Sequence, residues 1–107
     1  MRADKNFIEK ELEKIVEGLK KLGAKKIILF GSLARGEPRV DSDIDLLAIF
    51  DDNDNFKNRM QKVYSEISAQ VDFDILAYNF EEYEQIRHRS LFRSIEKEGK
   101  VLYEAEH

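Results

Sequence analysis

Apolar residues recur at helical spacing near the start of the chain, at Phe7, Ile8, Leu12, Ile15, Val16, Leu19 and Leu22, with Lys and Glu between them. This pattern predicts an amphipathic helix that stops at Gly23, a residue suited to the end of a helix. Residues 26–30 (KIILF) are nearly all apolar, as expected of a central strand covered on both faces. Gly31-Ser32 then turns the chain, and Leu33 to Arg35 read as the start of a short helix. A loop over residues 36–40 holds Pro38, the only proline. A second strand is expected over residues 43–50 (DIDLLAIF), ended by the polar turn DDNDN.

Phe56, Met60, Val63, Tyr64 and Ile67 mark a second long helix, and residues 71–78 (VDFDILAY) a third strand. A third main helix opens at Phe80-Glu81-Glu82 and carries Tyr83, Ile86, Phe92 and Ile95 on its inner face. After Gly99, residues 100–103 (KVLY) suit a small edge strand. No internal repeat, low-complexity stretch or linker interrupts the pattern. The expectation is one α/β (α+β) domain over residues 1–107, a small mixed sheet of three main strands plus an edge strand packed with helices.

Composition narrows the chemistry. The 107 residues suffice for one core but not two. The formal net charge of −4 gives no basic footprint for long nucleic acid. There is no cysteine, which excludes disulfides, zinc-thiolate sites and cysteine nucleophiles. The N-terminus, MRADKNFIEKELEK, is charged throughout and does not resemble a signal peptide. No apolar run approaches the length of a membrane span. A cytoplasmic location is expected.

The informative stretch is residues 30–50, FGSLARGEPRVDSDIDLLAIF. Charge at the mouth of a buried strand costs stability unless something neutralises it. Asp41 reads as a turn or capping residue. Asp43 and Asp45 alternate along the strand, so they share a face about 6–7 Å apart. Asp72 and Asp74 repeat that spacing on the third strand. If the two strands are neighbours, a carboxylate cluster forms at one edge of the sheet. Like charges so close repel unless cations intervene, and hard divalent ions such as Mg²⁺ take carboxylate and phosphate oxygens.

Two familiar motifs fail on physical grounds. An EF-hand loop starting at Asp41 would need glycine at its sixth position and Glu at its twelfth, where Leu46 and Asp52 stand. Gly31 and Gly36 have P-loop spacing, but Glu37-Pro38 replace the required Lys and Ser/Thr. Gly31-Ser32 offers a different phosphate site: glycine permits close backbone approach, and Ser32 at a helix start would add a hydroxyl to amides that attract anions. Alone, a Gly-Ser pair is common and mostly structural. Its interest is the short return from Ser32 to Asp43.

The run GSLARG over residues 31–36, followed by SDIDL over 42–46, resembles the signature of the minimal nucleotidyltransferases in the DNA polymerase β-like superfamily. The resemblance extends over nearly the whole chain. It implies that fold, with Asp43 and Asp45 as metal-binding catalytic residues and a third acid on a neighbouring strand. The segment DILAYNFEE from Asp74 looks like the family's third-acid strand, which favours Asp74 over Asp72. Gly31 and Ser32 would hold the terminal phosphates; Arg35 would add positive charge there, or serve only as a surface ion-pair partner.

The activity implied is transfer of AMP from ATP to a hydroxyl with release of pyrophosphate, using Mg²⁺ (two ions) or Mn²⁺. In this family a lone minimal domain often pairs with a small helical HEPN protein, acting as antitoxin by attaching AMP to a tyrosine of that toxin. The competing reading is a non-catalytic antitoxin that neutralises its partner by stoichiometric contact. This chain is not the toxin, because no Arg-x₄₋₆-His motif occurs and His88 reads as a solvent-facing residue. No membrane partner is expected; self-association is left open.

Overall fold

The computed structural model describes residues 5–36 and 44–105. Asp41 and Asp43 lie outside the described residues. Helix α1 (Lys5–Leu22) leads into β1 (Ala24–Phe30); β2 (Ile44–Phe50) follows, then α2 (Phe56–Glu66) and β3 (Phe73–Asn79). Helices α3 (Phe80–Ile86) and α4 (Ser90–Glu98) come next, and β4 (Lys100–Glu104) closes the order. The strands form one sheet in the order β3-β2-β1-β4. β1 pairs antiparallel with β2 and β4, whereas β2 and β3 run parallel, joined through α2. The sheet is therefore mixed, as expected.

Both faces of the sheet are covered. Ile15 and Leu19 of α1 and Val63 of α2 pack with Ile27, Leu46, Ala48 and Ile75 on one side. On the other, Tyr83, Phe92 and Ile95 of α3 and α4 pack with Ile28, Leu47 and Ile49. Burial on two faces explains the unbroken apolar run of β2, where all residues except Asp45 are buried. α1 stops where the sequence indicates: Gly23 N–H returns to Lys20 O at 3.0 Å, and the next residue begins β1.

Two elements differ from the expectation. Residues 32–36 form successive turns rather than a helix, closed by Arg35 N–H to Gly31 O and Gly36 N–H to Leu33 O, both 3.2 Å. The single helix expected after Phe80 is two. In an uninterrupted helix the step from Tyr83 to Phe92 is about two and a half turns at 3.6 residues per turn, which would put the rings on opposite sides. The break at residues 87–89 lets both face the sheet, their rings meeting edge-on at 5.9 Å. Arg87 ties the break together, donating to Glu84 and Glu96 at 2.7 Å each.

Candidate active site

β2 and β3 begin side by side, and their register places Asp45 opposite Asp74. Strand alternation puts both on the face that carries Leu47, Ile49, Leu76 and Tyr78, the face covered further along by α3 and α4. The helices do not cover the aspartates: Asp45 is half-buried and Asp74 exposed. On the other side of β2, Asp45 is the register partner of Phe30, the last residue of β1. Phe30, Asp45 and Asp74 thus stand in a row across three adjacent strands.

Asp72 is placed differently. It precedes β3 and is exposed, and its main-chain carbonyl accepts the Ile44 N–H at 3.0 Å where the two strands meet. It is displaced from the level of Asp45 and Asp74 by about 6–7 Å along the chain.

The turn after β1 meets this row. Gly31 has φ +79°, and Asp45 Oδ2 occupies the space that a Cβ at Gly31 would need. Backbone and carboxylate therefore touch in a way that no residue with a side chain permits. Ser32 is half-buried in the same turn, and Arg35 is exposed at its end. The structure thus brings Gly31, Ser32, Asp45 and Asp74 to one end of the sheet, with Arg35 on the rim. A cavity of about 230 Å³ opens beside Gly31 and Arg35, between the turn and α4.

Among the described residues no group of three or more His, Cys, Asp or Glu is gathered to hold a metal. Asp45 and Asp74 supply the donor chemistry a hard divalent cation favours, two carboxylates level on neighbouring strands. That pair fits a magnesium-type ion.

At the opposite end of the sheet lies an arrangement that sequence reasoning missed. Arg59 of α2 is 3% exposed. Its guanidinium donates to Asp52 at 2.8 and 3.1 Å, to Glu82 at 2.5 Å, and to the carbonyls of Asp54 and Ala77 at 2.7 and 3.3 Å. Asn79 caps α3 by accepting the Glu82 N–H, while Glu82 accepts the Asn79 N–H, a reciprocal capping box. Hydrogen bonding from Arg59 holds the Asp52 carboxyl below its ordinary range. Burial disfavours the Arg59 charge, but its hydrogen bonds to Asp52 and Glu82 more than offset that and raise its pKa. The legible part of this signal was Asn79-x-x-Glu82; the buried arginine had none. Burial also pushes the Tyr83 hydroxyl up to about 12, the Glu96 carboxylate adding to it.

A mixed sheet between two helical layers, with strand-mouth aspartates beside a Gly-Ser turn, defines a nucleotidyltransferase-type domain. The chain belongs to the polymerase beta nucleotidyltransferase family, whose model matches residues 13–107. A crystal structure of a Sulfolobus solfataricus protein assigned as a nucleotidyltransferase shares the fold, with 24% identity and a TM-score of 0.58 over 97% of this chain and 92% of that one. A toxin–antitoxin crystal structure with AMP-PNP is 27% identical, with a TM-score of 0.59 over 88% of this chain and 73% of that one. No curated protein sequence matches the chain. Among the described residues no helix is long and apolar enough to cross a membrane.

Proposed function

We propose that the chain, acting as a single minimal domain over residues 1–107, transfers AMP from ATP to a hydroxyl and releases pyrophosphate. The observation that carries this reading is the level placement of Asp45 and Asp74 beside the Gly31 turn. Asp45 and Asp74, with Asp43, would hold divalent metal, which when bound neutralises triphosphate charge. Gly31 and Ser32 receive the terminal phosphates, and Arg35 adds positive charge at the rim. Asp74, the outermost carboxylate of the row, takes the acceptor's proton. The acceptor oxygen attacks the α-phosphorus, a new P–O bond forms, and the bond to the bridging oxygen breaks with its electron pair leaving on pyrophosphate. Positioning and charge neutralisation account for the rate enhancement.

The acceptor we propose is a tyrosine of a HEPN-type toxin, which makes the chain a protein adenylyltransferase with an antitoxin role in the cytoplasm. The similar toxin–antitoxin structure, solved with AMP-PNP, supports the nucleotide and toxin–antitoxin parts of this reading. Incubation with ATP labelled at the α-phosphate, Mg²⁺ and the product of the neighbouring reading frame, which this reading expects to be a small helical protein, tests it. Label on a partner tyrosine, lost with Asp45→Asn, is the expected result. Neutralisation of the partner without label transfer would establish the non-catalytic antitoxin instead. Equal ATP affinity in EDTA and in Mg²⁺, measured by calorimetry, would sink the metal-dependent reading.

A further inference from the structure

The cavity beside Gly31 is distinct in character from the row of aspartates. One wall is Phe30, which ends β1 and is the register partner of Asp45. The opposite wall is α4, which contributes Leu91, Ser94, Ile95 and Glu98; Arg35 lies at the edge. Leu91 is 49% exposed, a large apolar side chain left open to solvent where the cavity begins. At about 230 Å³ the space falls below the ~300–1,000 Å³ of pockets that enclose a whole drug-sized ligand, so it suits a fragment of a nucleotide.

We infer that this cavity is the nucleobase slot, taking an amino-bearing purine between Phe30 and the apolar side chains of α4, with Glu98 as acceptor for the exocyclic amine. The inference rests on the proposed function and deepens it, because it assigns the source of base selectivity. Three features favour a base over the other parts of the reaction. The cavity lies over the end of β1, across Asp45 from Asp74, and so on the side of the row away from the acceptor. Its walls combine an aromatic ring with Leu91 and Ile95, a surface for a flat neutral ring rather than for phosphate. Glu98 would repel phosphate but accepts hydrogen bonds from an amine, and Ser94 adds a hydroxyl that can donate to a ring nitrogen.

Calorimetry in Mg²⁺ with ATP, inosine triphosphate and inorganic tripolyphosphate tests the slot apart from the phosphate site. Leu91→Trp adds bulk at an exposed position and should not impair folding. It should weaken ATP by roughly tenfold, the scale of one lost base-stacking contact, while tripolyphosphate binds as before. Wild type should prefer ATP to inosine triphosphate, and Glu98→Gln should narrow that preference. Unchanged ATP affinity in Leu91→Trp, or equal losses for ATP and tripolyphosphate, would overturn the slot. No preference for ATP over inosine triphosphate in the wild type would overturn the role of Glu98. A wild type that binds ATP but not tripolyphosphate would count against the phosphate site at Gly31 and in favour of the slot, since the base would then carry the affinity.

Discussion

Gly31 and Asp45 are in contact through an atom that is missing: the Asp45 carboxylate fills the place where a Gly31 side chain would start. The turn that leaves β1 can therefore lie directly against the carboxylate of β2. The glycine also has φ +79°, which L side chains rarely adopt.

Gly31→Ala should consequently do two separable things. Left-handed backbone strain costs about 1–2 kcal/mol, which lowers the melting temperature by about 4–8 °C per kcal/mol in a domain of this size. The methyl group also displaces Asp45, so nucleotidyl transfer should fall further than stability alone explains. Gly36→Ala is the control. Gly36 has φ +71°, but among the described residues nothing lies within 4 Å of its Cβ position. It should show a comparable thermal shift and retain far more activity. Equal activity losses in the two variants would mean that the Gly31–Asp45 contact is immaterial.

Asp74 and Asp72 should differ sharply. Asp74 is level with Asp45, and a metal–oxygen bond of about 2.0–2.1 Å does not stretch across the 6–7 Å to a residue two places away. Asp74→Asn is expected to abolish AMP transfer while ATP binding partly survives through Asp45, Asp43 and Ser32. Asp72→Asn should keep much of the activity. Modification of the partner by the Asp74 variant but not the Asp72 variant would reverse the assignment.

The two carboxylates show where the sequence stops being informative. Alternation places Asp72 and Asp74 on one face and cannot rank them, because inter-strand register is a tertiary property. The β2 pattern was readable because a strand buried on both faces is apolar throughout. The break between α3 and α4 was readable in principle: Tyr83-Ile86 and Phe92-Ile95 cannot share one face of a straight helix. Arg59 was not readable, since a lone arginine on a helix ordinarily faces water. Its burial depends on Asp52 and Glu82 arriving from two other segments. The cavity beside Phe30 was hidden for the same reason, as α4 reaches it only by folding back over β1.

Ser32→Ala should lower ATP affinity or turnover with the fold intact. Ser32 sits half-buried in the turn that touches Asp45, and a hydrogen bond to a charged group is worth about 1.5–3 kcal/mol. That corresponds to roughly 10–150-fold in affinity or rate. Unchanged kinetics beside an unchanged melting temperature would count against a phosphate contact.

The Arg59 cluster should govern stability, not catalysis, since it lies at the sheet end away from Asp45 and Asp74. Arg59→Leu leaves Asp52 and Glu82 without their shared cation. Breaking a fully buried pair costs about 3–5 kcal/mol. Here the carboxylates are partly open to water, which can solvate them, so the loss should be smaller, about 2 kcal/mol. A pH dependence follows with a definite sign. The Asp52 pKa is depressed in the folded state, chiefly by the Arg59 hydrogen bond, below its ordinary 3.8. Its contribution is complete above that ordinary value and is lost as pH falls through the lowered one. Glu11 acts in the same direction, its carboxylate held low by the Gln70 N–H. Urea unfolding from pH 6 down to pH 2 should show wild-type stability dropping below about pH 4. In Arg59→Leu that drop should be shallower, because Asp52 then titrates near its ordinary value in both states. Parallel curves for the two proteins would show that Asp52 draws no protonation-linked stability from Arg59.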